Sequence, residues 1–249
     1  MYQFFIEDEN AAEDFVTIEG SDVNHIKNVL RMRPGEKIRV CTRNGQNYFC
    51  SISDITESFV RADILEKEAE STELPCRIYL FQGLPKNDKM EWIIQKTVEL
   101  GVYEVIPVAM KNCVVKLDDK KAKSKVTRWQ AIAESAAKQS KRSLIPEVKM
   151  PMSYKEAVAY AKKLDVKLVP YENEHGMAGT KAAMEQIEKG ESVAVFIGPE
   201  GGFAPEEIAL VQDEMQLISL GKRILRTETA GIAALAILGY QLESSDMIE

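Results

Sequence analysis

Histidine occurs only twice in this 249-residue chain and cysteine four times. None of the cysteines (Cys41, Cys50, Cys76, Cys113) stands in a C-x-x-C pair. That scarcity argues against a zinc or iron–sulfur site, gives no metal-binding residues, and fits a reducing, cytoplasmic location. His25 and His175 read as structural or surface residues. No run of about 18 apolar residues is present, so no membrane span is expected. The acidic start, MYQFFIEDENAAED, lacks the basic and apolar regions of a secretory signal. Nucleotide loops are missing too: there is no G-x-G-x-x-G and no G-x-x-x-x-G-K-[ST].

What is present is a large apolar fraction, 45%, enough for a core without covalent staples. Net charge is −7, which taken alone speaks against a nucleic-acid partner. The distribution changes that reading. Between Lys111 and Arg142 ten Lys/Arg face three Asp/Glu, and from His25 to Arg43 six face Glu36 alone. Local positive fields, not the total, capture a phosphate backbone. Lys27, Arg31, Arg33, Lys111, Lys116, Arg128, Lys138 and Arg142 are the candidate RNA-binding residues. A solvated helix and loop face is the plainer alternative.

Two rhythms divide the chain. Gln3–Ile6, Phe15–Ile18, Lys37–Cys41, Tyr48–Ile52 and Phe59–Leu65 are short β-branched or aromatic runs, with Asn44-Gly45 as a hairpin signal. One helix interrupts them, with Ser21 as its cap, Val23, Ile26, Val29 and Leu30 as its inner stripe, and Arg33-Pro34-Gly35 as its stop. These residues predict a small β-barrel over 1–70. The polar Glu66–Pro75 reads as the linker. Residues 71–249 then alternate strands (Arg77–Phe81, Glu104–Ala109, Val166–Pro170, Val193–Ile197, Leu217–Leu220) with periodic helices. One helix starts behind an Asp88 cap, one carries Trp129, Ile132, Ala133, Ala136, Ala137 and Ser140 on a face, and one has a Ser153/Glu156 capping box. The pattern predicts an α/β domain with a parallel sheet covered on both faces, its ligands beyond the carboxyl ends of the strands.

Two late runs fall at such ends: IGPEGGF (Ile197–Phe203) and LGKRILRTETA (Leu220–Ala230). Glycine lets backbone approach a ligand or adopt positive φ. Glu200 puts one carboxylate among the glycines of the first run, and Pro205 opens a helix after it. In the second, Thr227 is a candidate cap, and Ala230, Gly231, Ala233 and Ala234 leave the helix backbone bare. Tight strand-to-helix turns and close helix packing want the same residues. Arg226 and Glu228 stand at a turn that needs no charge for folding.

GPEGG, LG-x-RILR-x-ETA, PKNDKMEWIIQKTVELGV (Pro85–Val102), RW…AESAAKQSKR…IP (Arg128–Pro146) and HIKNVLRM (His25–Met32) occur together in one order. In these motifs the chain resembles the RsmE family, 16S ribosomal RNA uridine-N3 methyltransferases of the SPOUT superfamily. It departs from the family pattern at Asn87, where glycine is common, at Asn112-Cys113, where Arg-Ser is usual, and at Ala204, where a capping Ser or Thr is frequent.

The resemblance implies an N-terminal PUA-like barrel, a methyltransferase domain tied in a trefoil knot, a homodimer, 16S RNA or the small ribosomal subunit as partner, and S-adenosylmethionine as donor. Cofactor contacts then fall on Tyr171, Glu172, Ile197, Gly198, Pro199, Glu200, Gly201 and Gly202 in two loops. A third supplies Leu220, Gly221, Ile224, Leu225, Arg226, Thr229 and Ala230. Arg226 is the expected stabiliser of charge on the base, with Glu200 or Glu228 as proton acceptor. A non-catalytic RNA-binding assembly protein is the competing class, and S-adenosylmethionine binding separates the two.

Overall fold

The computed structural model describes residues 1–68 and 71–246. Two compact units emerge: Met1–Glu73 together with Ala137–Ile145, and Leu74–Ala136 together with Pro146–Glu249.

In the first unit β1 (Tyr2–Ile6), β2 (Phe15–Glu19), β3 (Lys37–Thr42), β4 (Asn47–Ile55) and β5 (Phe59–Glu68) form one sheet in the order β1-β3-β4-β5-β2. The β1–β3 pair is parallel and the others antiparallel. Edge strands β1 and β2 approach each other, curling the sheet around Ile18, Ile26, Ile38, Val40, Ile52 and Val60, all fully buried or nearly so. Alternation of apolar and polar side chains places one face of each strand in that core.

Three local readings are corrected here. Glu66–Glu68 is not linker but the end of β5, paired with Asn47–Phe49; Ala69 and Glu70 lie outside the described residues. The helix α1 (Ser21–Asn24) is capped by Gly20 at φ 72°, not by the Ser21 side chain. It then widens into a π turn over His25–Val29, closed by Leu30 N–H to His25 O at 2.8 Å. The extra residue in that turn rotates Val29 out of the inner stripe to 61% exposure, while Val23 and Ile26 stay buried.

Residues 137–145 belong to this first unit because its strands supply their partners. Gln3 Nε2 donates to Arg142 O at 2.6 Å, Arg39 to Lys141 O at 3.0 Å, and Asn47 Nδ2 to Ser143 Oγ at 2.8 Å. The Cys41 thiol donates to Ser143 O at 2.8 Å. Burial pushes the Cys41 and Cys50 thiols up to about 12, so both are structural and protonated.

The second unit contains β6 (Arg77–Gly83), α2 (Lys89–Glu99), β7 (Val102–Ala109), α3 (Asp119–Ser140), β8 (Glu147–Val148), β9 (Met152–Ser153), α4 (Tyr154–Ala161), β10 (Val166–Pro170), α5 (Ala178–Glu185), β11 (Ser192–Ile197), α6 (Pro205–Val211), β12 (Gln216–Ile218) and α7 (Thr227–Asp246). The last turn of α3 falls in the segment that clusters with the first unit.

The sheet runs β12-β10-β11-β6-β7-β8, with β9 also on β7, and every pair is parallel. Parallel strands buried on both faces read as continuous apolar runs, as Val193–Ile197 does. On one face Tyr79, Phe81 and Phe196 pack against α4 and α6, with the Phe81 and Phe196 rings stacked at 4.3 Å. On the other lie α2 and α7, with Gly231 over Leu80 and Gln82. This is the covered parallel sheet that the rhythm of the sequence predicts.

Ser153 caps α4 with the full box: its hydroxyl accepts from Glu156 N–H, and Ser153 N–H donates back to Glu156. Asp88 precedes α2 without a capping bond and pairs instead with Lys125. The strand expected over Leu217–Leu220 ends at Ile218.

Candidate active site

Three strand ends and one helix start enclose a cavity of about 560 Å³ in the second unit, a size typical of small-molecule sites. The loop after β10 contributes Tyr171 and Glu172, the end of β11 contributes Ile197, and the loop after it Gly198, Pro199, Glu200 and Gly202. The loop after β12 contributes Leu220, Gly221, Ile224, Leu225 and Arg226, and α7 contributes Ala230. Thirteen of the residues expected at the cofactor thus share one wall.

Gly201, Thr229 and Glu228 do not line it. A Cβ on Gly201 would lie 2.9 Å from that of Asn112, and its carbonyl accepts from Asn112 Nδ2 at 3.0 Å. Thr229 N–H closes the first turn of α7 on Arg226 O.

The glycines act where backbone must bend or approach. Gly202 has φ 67° and Gly221 φ 105°, a region that costs other residues steric strain. The β6 end touches the next loop so closely that a Cβ on Gly83 would fall 2.7 Å from Pro199 N. Asn87 sits at φ 57°, which accounts physically for a position where glycine is the easier residue.

Asn112 spans the two carbonyls of Gly201 and Gly202, at 3.0 and 3.2 Å, and so holds the glycine loop. Ala204 lacks a capping side chain. Buried Glu207 compensates, accepting from Ala204 N–H at 2.9 Å and Lys111 N–H at 2.8 Å.

Thr227 does not cap α7, as its sequence position suggests. Its buried hydroxyl donates to Gly198 O at 2.7 Å and accepts from Gln82 Nε2 at 2.9 Å, tying β6, the glycine loop and α7 together. The helix is capped through Arg226 O, which accepts from Thr229 and Ala230 N–H.

The charged groups are unevenly engaged. Arg226 is exposed at the cavity wall and makes no ion pair among the described residues. Glu200 and Glu228 share one ammonium: Lys89 Nζ lies 3.1 Å from Glu200 Oε1 and 3.2 Å from Glu228 Oε2. Glu200 Oε1 also accepts from Lys86 N–H at 3.0 Å. Its hydrogen bond to Glu200 raises the Lys89 ammonium above its ordinary value. Burial works to raise the Glu200 carboxyl, but the Lys86 amide and Lys89 outweigh it and hold the group below its ordinary range.

Sequence reasoning missed Lys89, Lys222, Arg223, His175 and Phe203, all at the cavity. The signal for Lys89 was its place in the PKNDK run; the others lie within or beside loops already marked.

The basic candidates fare differently. Arg142 is 3% exposed and paired with Glu73, so it offers no face to a phosphate. Lys138 is held by both Asp22 oxygens at 3.0 Å. Lys27 pairs with Glu57, Lys111 with Glu206, and Arg128 with Glu91. Arg31, Arg33 and Lys116 are exposed with no ion pair among the described residues.

Comparison with known proteins agrees with this architecture. Residues 72–239 match the RNA methyltransferase domain family, and residues 18–65 match the RNA methyltransferase PUA domain. The ribosomal RNA small subunit methyltransferase E of Bacillus subtilis is 39% identical over 250 residues, 98% of each chain. That of Mesomycoplasma hyopneumoniae is 35% identical, covering 93% of this chain and 96% of its own. The crystal structure of the Neisseria gonorrhoeae protein of that name, bound to S-adenosyl methionine, superposes with a TM-score of 0.84 at 32% identity. The match covers 96% and 97% of the two chains.

Proposed function

The chain belongs to the ribosomal RNA small subunit methyltransferase E family, and from that premise we propose that it methylates N3 of a uridine in 16S ribosomal RNA with S-adenosylmethionine as donor. The observation that carries the reading is the cavity beyond β10, β11 and β12, walled by two glycine loops with Arg226 at its side.

Its walls suit that donor. Ile197, Phe203 and Leu225 offer apolar area, bare backbone offers hydrogen bonds, and Glu172 and Glu200 offer negative charge to a sulfonium. When bound, the donor supplies an electrophilic methyl group. The chain's own task is orientation and charge. The three loops fix the acceptor nitrogen's approach, which supplies much of the rate in such transfers. Arg226 stabilises the negative charge that develops on the uracil ring as the N3 proton leaves. Glu200, kept ionised by Lys86 and Lys89, can receive that proton but is poorly suited to retain it, and passes it on to Glu228 or water.

Of the eight basic candidates, Arg31, Arg33 and Lys116 are left open to bind phosphate and set the register of the RNA without reading its sequence. The α7 helix supports a homodimer. Leu235, Leu238 and Leu242 are buried, while Ala236 and Tyr240 are exposed and Ile232, Ala233 and Ile237 half-buried. A helix apolar on nearly every side is usually covered on every side, here by a second copy. A trefoil knot accords with the path from β12 back past β10 and β11 to the face of β6, where α7 packs. Among the described residues no helix is long and apolar enough to cross a membrane; the proposed ribosomal substrate supports a cytoplasmic location.

The test is calorimetry with S-adenosylmethionine together with mass mapping of methylated nucleosides in 16S RNA from a deletion strain. Saturable binding and the loss of one N3-methyluridine are expected. Absence of binding, or loss of a different nucleoside, overturns the reading.

A further inference from the structure

Lys89 projects from the first turn of α2 into the cavity, where its ammonium lies between one carboxylate from the loop after β11 and one from the first turn of α7. Largely buried ion pairs of this kind add little net stability, because desolvation offsets the attraction, so stability does not account for the placement. The polar inventory does. The Lys89 ammonium has three N–H donors; Glu200 Oε1 accepts one of them, and Glu228 Oε2 stands by as an ion-pair partner at 3.2 Å. Glu200 receives Lys86 N–H and Lys89 on the same oxygen, Oε1, and Oε2 receives neither. An ionised carboxylate can only accept. The wall therefore presents one acceptor oxygen beside one remaining cationic donor.

That pair complements an N–H flanked by a carbonyl. The pairing edge of uracil has an N–H with a carbonyl on each side. Cytosine N3 and adenine N1 would aim a lone pair at the carboxylate. Guanine has the N–H and one carbonyl, but its other flank is an amino group, which a second cation opposes; Arg226 lines the same cavity. We propose that Lys89 and Glu200 are specificity-determining residues that read the N3–H and an adjacent carbonyl of the target uracil. This rests on the methyltransferase reading of the cavity and adds the residues that choose the base. The depressed Glu200 carboxyl agrees with it, since a protonated acid would lose the preference for an N–H donor. Sites that hydrogen-bond a substrate group reject analogues lacking it far more strongly than apolar pockets reject a missing methylene.

A cycle between a protein residue and a base atom tests this. Single-turnover methylation is measured with saturating S-adenosylmethionine on RNA carrying uridine, 2-thiouridine or 4-thiouridine at the mapped position, because sulfur accepts hydrogen bonds weakly. One of the two sulfur substitutions is expected to slow the wild-type protein by about fivefold or more, the lower end of what a good paired contact to a base edge discriminates. Lys89→Met is expected to be slow on uridine RNA and to lose nothing further on the sulfur analogue, while its calorimetric affinity for S-adenosylmethionine stays within about threefold. Lys89→Arg, which keeps the charge and fold should the Met variant fail to fold, is expected to regain part of the rate and part of the sulfur sensitivity.

Equal sulfur effects in the wild type and a folded Lys89→Met would overturn the proposal, and so would a folded Lys89→Arg that regains neither rate nor sulfur sensitivity. So would a fall in S-adenosylmethionine affinity as large as the fall in rate, which would make Lys89 a brace between loops. Failure of the wild-type protein to bind S-adenosylmethionine, or to methylate any uridine, would instead defeat the enzymatic reading before the variants are compared.

Discussion

The basic stretch ending at Arg142 and the basic loop from Lys222 to Arg226 look alike in sequence, and the fold uses them in opposite ways. Arg142 is sealed against Glu73, and its carbonyl accepts from Gln3. Its neighbours Lys141 and Ser143 are bound by Arg39, Cys41 and Asn47. Arg226 stands exposed on a cavity wall without an ion-pair partner among the described residues. A run of positive charge measures supply only. Whether it remains available depends on carboxylates brought up by distant segments, and here Glu73 lies 69 residues from Arg142. Local charge clustering thus overstates a phosphate-binding surface wherever the fold provides counter-charge.

The contrast can be broken by exchanging losses between the two arginines. Arg226→Ala should lower the methylation rate by about a hundred- to a thousandfold, as loss of one charge-stabilising donor does, with an unchanged urea midpoint. Arg142→Ala should do the reverse, costing up to about 3 kcal/mol of stability by taking the counter-ion from the largely buried Glu73 carboxylate, while leaving the salt dependence of RNA binding unaltered. A stable Arg142→Ala protein with weakened RNA binding would invert the comparison.

Two smaller effects sharpen it. Gly83→Ala forces a methyl group against the Pro199 backbone, and should cost about 1–3 kcal/mol with a parallel loss of cofactor affinity by calorimetry. Lys116→Ala, at a lysine with no ion pair among the described residues, should leave stability alone and reduce the slope of log affinity against log salt by about 1. An unchanged slope would remove Lys116 from the RNA-facing set.

Much of the architecture was legible because its signals are local. Short β-branched and apolar runs such as Val166–Pro170 and Val193–Ile197 became strands within a residue of their expected limits. The Ser153/Glu156 box formed as its spacing implies. Local signals also misled where tertiary partners competed. Thr227 looked like a cap and is instead claimed by Gly198 and Gln82, and Val29 was turned outward by a π turn that no periodicity announces. The polar Glu66–Glu68 was drawn into β5 by pairing with Asn47–Phe49.

For the cavity, sequence marked the loops but not their shared machinery. Lys89, Glu207, Gln82 and Asn112 each act across at least 89 residues, or, for Lys89 and Glu207, across 111 and 96.

The order of residues by itself determined which segments are strands, helices and glycine bends, because torsional preference and apolar periodicity operate over a few neighbours. It also fixed the family, through several separated motifs kept in one order. Only the folded chain decided which charges are neutralised and which stay open, and which carboxylates meet one ammonium. Those outcomes depend on a few ångströms between segments far apart in sequence, where electrostatic and hydrogen-bond energies change steeply with distance.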